Sequence, residues 1–320
     1  MNCMGVMTSG GDSPGMNAAV RAVVRTAIAK GVRVKGIKRG FAGLLDGDIH
    51  EMSGRDVSGI IQRGGTMLQT ARCPEFREAK GQRLGLRRLN EEDIDSLVVI
   101  GGDGSLRGAL ALHNLGFPVA GVPGSIDNDI AGTDMSVGVD TALNTILRAL
   151  DSLRDTAASH ERAFLVEVMG RSCGYLATVG GILGGAEMIA IPERPFELDD
   201  VAQIVQDAYI KGKNHALIVV AEGATYGISD IAQFLRDHEV GFDVRVTILG
   251  HVQRGGRPSA FDRLLATRMG VAAVTELVAG NSGVMIALRG RKMTTISLDE
   301  ATSRQREVSL EYLEIFDFVS

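Results

Sequence analysis

Two short β-branched runs, Ser96-Leu97-Val98-Val99-Ile100 and Phe117-Pro118-Val119-Ala120-Gly121-Val122, each stop at a cluster of glycine, serine and aspartate. The first meets Gly101-Gly102-Asp103-Gly104-Ser105, and the second meets Pro123-Gly124-Ser125-Ile126-Asp127-Asn128-Asp129. Near-continuous apolar runs suit strands buried on both faces, as in a parallel sheet. Two such strands side by side would deliver glycines, a hydroxyl and three carboxylates to one edge of the sheet. Ligands of open α/β sheets bind at that carboxyl edge. Glycines let backbone approach phosphates, while carboxylates hold Mg²⁺ or accept a proton. This edge suits phosphoryl transfer.

The rest of the chain repeats the alternation of short strand with longer helix, which predicts parallel sheets with crossover helices. Met4–Thr8 reads as a first strand, broken by Ser9-Gly10-Gly11-Asp12-Ser13-Pro14-Gly15, with a helix from about residue 16. On that helix Ala19, Val20, Val23, Val24, Ala27 and Ile28 form an apolar stripe at the 3.6 period, flanked by Arg21 and Arg25. A helical pattern over residues 138–158 leads into strand candidates 164–168, 188–191, 216–220 and 244–249. Pro258 opens another helix, and a closing strand is expected near 283–288. At 320 residues the chain has room for two α/β lobes, each with its own core.

Composition excludes more than it selects. The net charge of −5 argues weakly against nucleic acid as the main partner. No apolar run reaches the length of a membrane span, and the start of the chain lacks the basic and apolar segments of a signal peptide. Cys3, Cys73 and Cys173 are odd in number and far apart, which indicates neither a disulfide framework nor a zinc site. A cytoplasmic enzyme is the expectation.

Each motif also has a bland reading. The turn Thr8 to Asn17 offers backbone N–H groups and a helix N-terminus to an anion, yet many α/β proteins turn on glycines without a ligand. It is not a Walker A motif, since no Gly-Lys-Ser/Thr follows, and no Gly-x-Gly-x-x-Gly follows a predicted strand. Asp103 suits Mg²⁺ bridging phosphate oxygens, but an Asp capping a helix that begins near Ser105 is the plain alternative. Asp127 and Asp129 are two apart, so an extended segment puts both on one side with Ser125, whereas Ile-Asp-Asn-Asp is also a common turn composition. Cys73 has no base indicated beside it, and Met16, Met67 and Met269 read as core filler.

These segments resemble ATP-dependent 6-phosphofructokinases of the bacterial type. The resemblance rests on Thr8-Ser9-Gly10-Gly11-Asp12, Arg63-Gly64-Gly65-Thr66, Gly102 to Ser105 and Pro123 to Asp129. It continues through Glu167-Val168-Met169-Gly170-Arg171, Ala221-Glu222-Gly223 and Leu249-Gly250-His251-Val252-Gln253-Arg254-Gly255-Gly256. It runs in order from about residue 4 to beyond 290, and the last thirty residues match poorly. The implied fold is α/β, two Rossmann-like three-layer lobes with mostly parallel sheets. The larger, ATP-binding lobe would comprise residues 1–138 and 252–302, and the smaller, sugar-phosphate lobe 139–251 and 303–320.

The resemblance implies transfer of the ATP γ-phosphoryl to the 1-hydroxyl of fructose 6-phosphate, the committed step of glycolysis. Gly11, Arg72, Cys73, Gly102, Asp103, Gly104 and Ser105 would line the ATP site, with Asp103 on Mg²⁺. Asp127 would be the base, and Arg171 and Arg72 would carry the charge that a Walker lysine carries elsewhere. Ser125, Ile126, Met169, Gly170, Arg171, Glu222, His251 and Arg254 would hold the sugar phosphate, with Arg162 and Arg245 reaching in from a neighbour in a homotetramer. Ser125 replaces the family's usual threonine and keeps the hydroxyl. In this family an acidic residue at 104 and a lysine at 124 accompany pyrophosphate use; Gly104 and Gly124 favour ATP.

A second basic set reads, residue by residue, as solvated surface. In the resembled family Arg21, Arg25, Arg55, Arg154, Gly185, Glu187, Lys211, Lys213 and His215 would bind ADP as activator and phosphoenolpyruvate as inhibitor. Gly59 stands where the family has an Asp. Two other classes share parts of the pattern. NAD and lipid kinases carry a Gly-Gly-Asp-Gly turn but lack the Pro123 to Asp129 segment, and a non-catalytic nucleotide-binding subunit would not need Asp103, Asp127 and Arg171 together.

Overall fold

The computed structural model describes residues 1–319. In chain order its elements are β1 (Cys3–Ser9), α1 (Met16–Ala29), β2 (Arg33–Ile37), α2 (Gly40–Asp46), β3 (Ile49–Met52) and α3 (Ala79–Glu91). Then follow β4 (Ser96–Gly101), α4 (Asp103–Asn114), β5 (Val119–Pro123), α5 (Val139–His160), β6 (Arg162–Val168) and α6 (Tyr175–Gly184). The chain continues with β7 (Met188–Ala190), α7 (Leu198–Ile210), β8 (Ala216–Ala221), α8 (Ile228–Asp237) and β9 (Asp243–Ile248). It ends on α9 (Ala260–Val278), β10 (Val284–Arg289), β11 (Lys292–Ser297), α10 (Leu298–Ser303) and α11 (Leu310–Val319). Contacts divide it into two units. One holds Met1–Ile126, Ile130–Thr141 and Arg254–Arg304, and the other holds Asp127–Asp129, Ala142–Gln253 and the chain from Gln305 onward.

The first unit is built on a sheet ordered β11-β10-β5-β4-β1-β2-β3. Its centre is parallel, and its margins, β2/β3 and β10/β11, are antiparallel. Alternate residues of each strand serve opposite faces. Met4, Val6, Val98, Ile100, Ala120 and Val122 pack with Val20 and Val23 of α1 and Met269 and Ala273 of α9. Met7, Leu97, Val99 and Val119 pack the other way, with Leu44 of α2, Leu89 of α3, Leu106 and Leu112 of α4 and Ala301 of α10. Both faces are covered, which is why the strands read as unbroken apolar runs. Each of the Val, Leu, Ile and Met side chains contributes roughly 1.5–3 kcal/mol relative to exposure, and the alanines less. The closeness of α1 and α9 depends on Gly270, where a Cβ would fall 2.8 Å from Ala19 O and from Ala22 Cβ.

The structure shifts one helix start and adds strands β2, β3 and β11 to those expected from the sequence. Helix α4 begins at Asp103 itself, with Gly102 as its cap, rather than near Ser105. The strand at Val284–Arg289 is followed by a hairpin partner, β11, which the thin alternation of Lys292-Met-Thr-Thr-Ile-Ser did not reveal.

The second unit carries a wholly parallel sheet ordered β7-β8-β6-β9. Ala163 and Leu165 of β6 pack with Val201 and Val205 of α7 and Ile231 and Leu235 of α8. Phe164 and Val166, on the opposite face, are buried as well. Among the described residues no helix is long and apolar enough to cross a membrane.

A buried carboxylate holds the start of α5 within the first unit. Asp262, in the first turn of α9, is fully buried. Its Oδ1 accepts from Gly138 N at 2.9 Å, and its Oδ2 accepts from Thr141 N at 2.8 Å and Thr141 Oγ1 at 2.5 Å. Burial outweighs these donors and pushes the carboxyl from 3.8 up to about 6. Between those values the folded chain keeps a proton that the unfolded chain releases, so stability falls as pH rises from about 4 to about 6. Replacing Asp262 with Asn is expected to flatten this part of the profile while lowering stability below pH 5, because an amide cannot accept at both oxygen positions. Urea midpoints measured from pH 4 to 7 check this, and an unchanged slope in the variant would contradict it.

Candidate active site

β1 and β4 lie side by side, but their crossovers part company. Helix α1 leads to β2 on one side and covers one face; α4 leads to β5 on the other side and covers the opposite face. The carboxyl ends of β1 and β4 are therefore a topological switch point, where a crevice opens between diverging helices. In register, Ser9 lies beside Gly101, and Gly101 lies beside Pro123, so three strands end level. The sequence motifs that follow these strands are brought together.

Glycine is required at this edge for closeness. A Cβ on Gly101 would press on Ser9 O and come within 2.6 Å of Ser105 Oγ. Gly10 takes φ +84°, a left-handed conformation that glycine adopts without strain, and a Cβ there would sit 3.0 Å from Ser105 Oγ. The first and second motifs are thus in contact. Thr70 Oγ1 donates to Gly10 O. On its other side Gly11 faces Arg254, whose Nη1 lies 2.6 Å from the position of a Cβ on Gly11 and donates to Asp12 O at 3.3 Å. Arg254, expected with the sugar-phosphate residues, therefore sits in the first unit against the Gly11–Asp12 turn.

Asp103 opens α4, where a carboxylate is favoured by the helix N-terminus. Its Oδ2 pairs with Arg107 Nε at 2.9 Å. Gly104 is exposed, and nothing lies within 4 Å of where its Cβ would be. Ser125 begins the third motif beside the second, since a Cβ on Gly102 would be 3.8 Å from Ser125 Cβ. Ile126 is fully buried and anchors the segment. The chain then turns at buried Asn128 with φ +53°, and Asp127–Asp129 group with the second unit, where Asp129 O accepts from Arg306 N at 2.9 Å.

Arg72 is exposed and Cys73 half-buried. A carboxylate does stand beside that thiol, Glu75 Oε2 at 3.6 Å. Burial, with Glu75 adding to it, pushes the Cys73 thiol above its ordinary value, the wrong direction for a nucleophile.

The loop Arg63–Met67 is tied to this edge by Asn17, a residue the sequence reading left without a role. Buried at the start of α1, Asn17 donates through Nδ2 to Arg63 O at 3.0 Å and Gly64 O at 3.1 Å, and accepts from Met67 N at 2.7 Å. Thr66 Oγ1 lies 2.7 Å from Thr8 Oγ1. The only sequence signal for Asn17 was a polar residue in the first turn of an otherwise apolar helix.

The second unit has its own cluster at the carboxyl edge of its sheet. Met169, Gly170 and Arg171 follow β6, Glu222 and Gly223 follow β8, and His251 follows β9. Fully buried Gln253 joins these turns: its Oε1 accepts from Met169 N at 3.1 Å and its Nε2 donates to Gly250 O at 3.0 Å. Arg171 is 85% exposed, with Nε 3.6 Å from Glu222 Oε1. Burial, followed by the nearby Glu222, holds the Glu167 carboxyl above the usual range. Arg162 and Arg245 do not join this cluster. Arg162 starts β6 at the opposite end, and both lie by Asp243, at 3.6 and 2.5 Å.

The remaining basic residues fall into two sets, one in each unit. Arg25 and Arg55 line a recess of about 670 Å³ with Ser53 and Gly54, and Arg21 is half-buried on the same helix as Arg25. Glu187, Lys211 and Lys213 line a cavity of about 700 Å³, with Lys213 Nζ 3.4 Å from Glu187 Oε1. Arg154 Nη2 donates to Gly185 O at 3.1 Å, and His215 Nδ1 lies 2.7 Å from Asn214 Oδ1.

A magnesium–phosphate complex fits the first unit's edge. Mg²⁺ is usually bound by one or two carboxylates with phosphate oxygens and water. Asp103 supplies such a carboxylate beside glycines, and among the described residues no cluster of three or more His, Cys, Asp or Glu could hold a metal unaided.

Known proteins match this chain over most or all of its length. The phosphofructokinase family profile matches residues 3–277. The chain is 49% identical over its full length to all of a Thermotoga neapolitana protein named ATP-dependent 6-phosphofructokinase. It is 50% identical over 97% of both chains to a Halalkalibacterium halodurans protein of the same name. The solved phosphofructokinase of Saccharomyces cerevisiae superposes with a TM-score of 0.88 at 41% identity, over 95% of this chain and 45% of the yeast chain.

Replacing Asn17 with Ala is expected to cost roughly 2–4 kcal/mol, because two carbonyls and an N–H lose their partner at once. Denaturant midpoints measure this. A loss below 0.5 kcal/mol, within the usual surface range of about ±0.5, would show that the loop is held by other contacts.

Proposed function

The chain belongs to the phosphofructokinase family, and on that premise we propose that it transfers the γ-phosphoryl group of ATP to the 1-hydroxyl of fructose 6-phosphate. The products are fructose 1,6-bisphosphate and ADP. The observation that carries the reading is full-length similarity to ATP-dependent 6-phosphofructokinases, together with intact motifs at both carboxyl edges.

In this reading the first unit receives the donor. Gly11, Gly102, Gly104 and Ser105 admit the phosphates close to backbone, Cys73 is a small pocket contact, and Arg72 supplies positive charge. Asp103 would hold Mg²⁺, which neutralises phosphate charge when bound. The empty space at Gly104 supports ATP over pyrophosphate, because a carboxylate there would crowd and repel the nucleotide's α-phosphate. A lysine at 124 would have to displace Met16, whose Cε is 3.1 Å from the position of a Cβ on Gly124.

In the second unit Met169, Gly170, Arg171, Glu222 and His251 are assigned to the sugar phosphate, and the family resemblance gives the same assignment to Ser125, Ile126 and Arg254 of the first unit. Asp127 accepts the proton of the 1-hydroxyl as its oxygen attacks the γ-phosphorus, and the bond to the ADP oxygen breaks. Arg171 and Arg72 stabilise the charge on the transferring group. Because Arg162 and Arg245 lie away from the carboxyl edge of their own sheet, they would serve a neighbouring copy, in keeping with the homotetramer that the family resemblance implies. Binding of ADP and phosphoenolpyruvate at the two basic sets, with Glu187 and Gly185, is part of the same reading. So is a cytoplasmic location, with Cys3, Cys73 and Cys173 all as free thiols.

An assay coupled to fructose 1,6-bisphosphate formation is expected to show activity with ATP and none with pyrophosphate; the reverse preference would overturn the donor assignment. Asp127→Ala is expected to lower kcat ~10²-fold or more. Near-normal turnover would remove Asp127 from its role. Arg21→Ala combined with Arg25→Ala should blunt activation by ADP, and an unchanged ADP response would exclude that recess as the effector site.

A further inference from the structure

Helix α4 carries a charge that none of the motifs accounts for. Arg107 stands one turn after Asp103, and its Nε lies 2.9 Å from Asp103 Oδ2. The two side chains differ in exposure, 53% for Arg107 and 23% for Asp103, so the guanidinium is the more solvent-exposed partner of the pair. Gly104, exposed and with no atom within 4 Å of its Cβ direction, leaves open space at the same turn.

The ion pair itself is weak. Exposed i,i+4 pairs of this kind contribute roughly 0.3–0.5 kcal/mol, so changing partner costs little. A phosphate is a better partner than a single carboxylate oxygen, since guanidinium binds it through two parallel hydrogen bonds. Asp103 and Arg107 therefore have separate attractions to a metal-bound polyphosphate, and both attractions draw the pair apart.

We propose that Arg107 is a donor-binding residue: it pairs with Asp103 in the free enzyme and moves to the donor's phosphate oxygens when a divalent cation takes the carboxylate. This rests on the reading of Asp103 as the cation's ligand. Two consequences distinguish it from a helix-surface pair that merely supports α4. Arg107 contributes to donor binding but not to sugar-phosphate binding. Without a divalent cation it also shields the donor from the negative charge of Asp103, so its loss hurts more.

The test measures binding of an ATP analogue with a non-hydrolysable β–γ link to the full-length protein by titration calorimetry, with Mg²⁺ and with EDTA. Arg107→Gln is expected to weaken binding about tenfold with Mg²⁺, the factor that ~1.4 kcal/mol gives, and by a larger factor in EDTA. In EDTA, adding Asp103→Asn to Arg107→Gln is expected to restore much of the loss. The KM for ATP should rise while the KM for fructose 6-phosphate stays put. Analogue affinity within twofold of the parent in both buffers would overturn the proposal, as would equal loss for both substrates. Should Asp103→Asn alone leave Mg²⁺-dependent binding unchanged, the assignment of Asp103 fails, an outcome separable from the failure of Arg107.

Discussion

The level ending of three parallel strands, β1, β4 and β5, is the constraint on which the first unit's chemistry depends. Ser9, Gly101 and Pro123 stand abreast, and Gly101 can have no side chain because Ser9 O and Ser105 Oγ occupy its surroundings. A methyl group there would push the second turn away from the first. The glycine-rich turns after β1 and β4 would then be spread apart. The same sheet sends α1 and α4 to opposite faces, so the crevice follows from strand order rather than from any loop.

The loops beyond the strands are fixed by buried polar side chains, each used several times. Asn17 holds three backbone groups of the loop 63–67, Gln253 links the turn after β6 to the turn after β9, and Asp262 takes three donors at the start of α5. A buried polar group left unpaired costs far more than a paired one contributes, so such residues select one loop conformation against others. Glycine works beside them: a Cβ on Gly64 would run into Gly256 O, and one on Gly223 into Arg171 O, so facing turns pack backbone against backbone.

Much of this was legible in the sequence, for physical reasons. Strands buried on both faces announce themselves as apolar runs, and β1, β4, β5, β6, β7, β8 and β10 all did so; β9 showed through its β-branched Val244-Arg-Val-Thr-Ile although most of it is exposed. Short marginal strands did not. β2 carries Arg33 and Lys35, and β3 and β11 are half-exposed, so their composition resembles loop. The small C-terminal helices α10 and α11 lie in the stretch where motif similarity fades. At the candidate site, residues in glycine-rich turns were visible because three such turns, each carrying an aspartate, follow apolar strand runs. Asn17, Gln253, Asp262 and Arg107 were not, since each works through partners far away in sequence or, for Arg107, through a spacing common on any helix surface.

Hydrogen–deuterium exchange with a non-hydrolysable ATP analogue and Mg²⁺ tests the central claim, that the donor phosphates rest on the carboxyl ends of β1 and β4. Slowed exchange of the amides at Gly10–Asp12 and Gly102–Ser105 is the predicted result. Unchanged exchange at both turns under saturating analogue, with protection appearing only at the edge formed by β6 and β8, would contradict it.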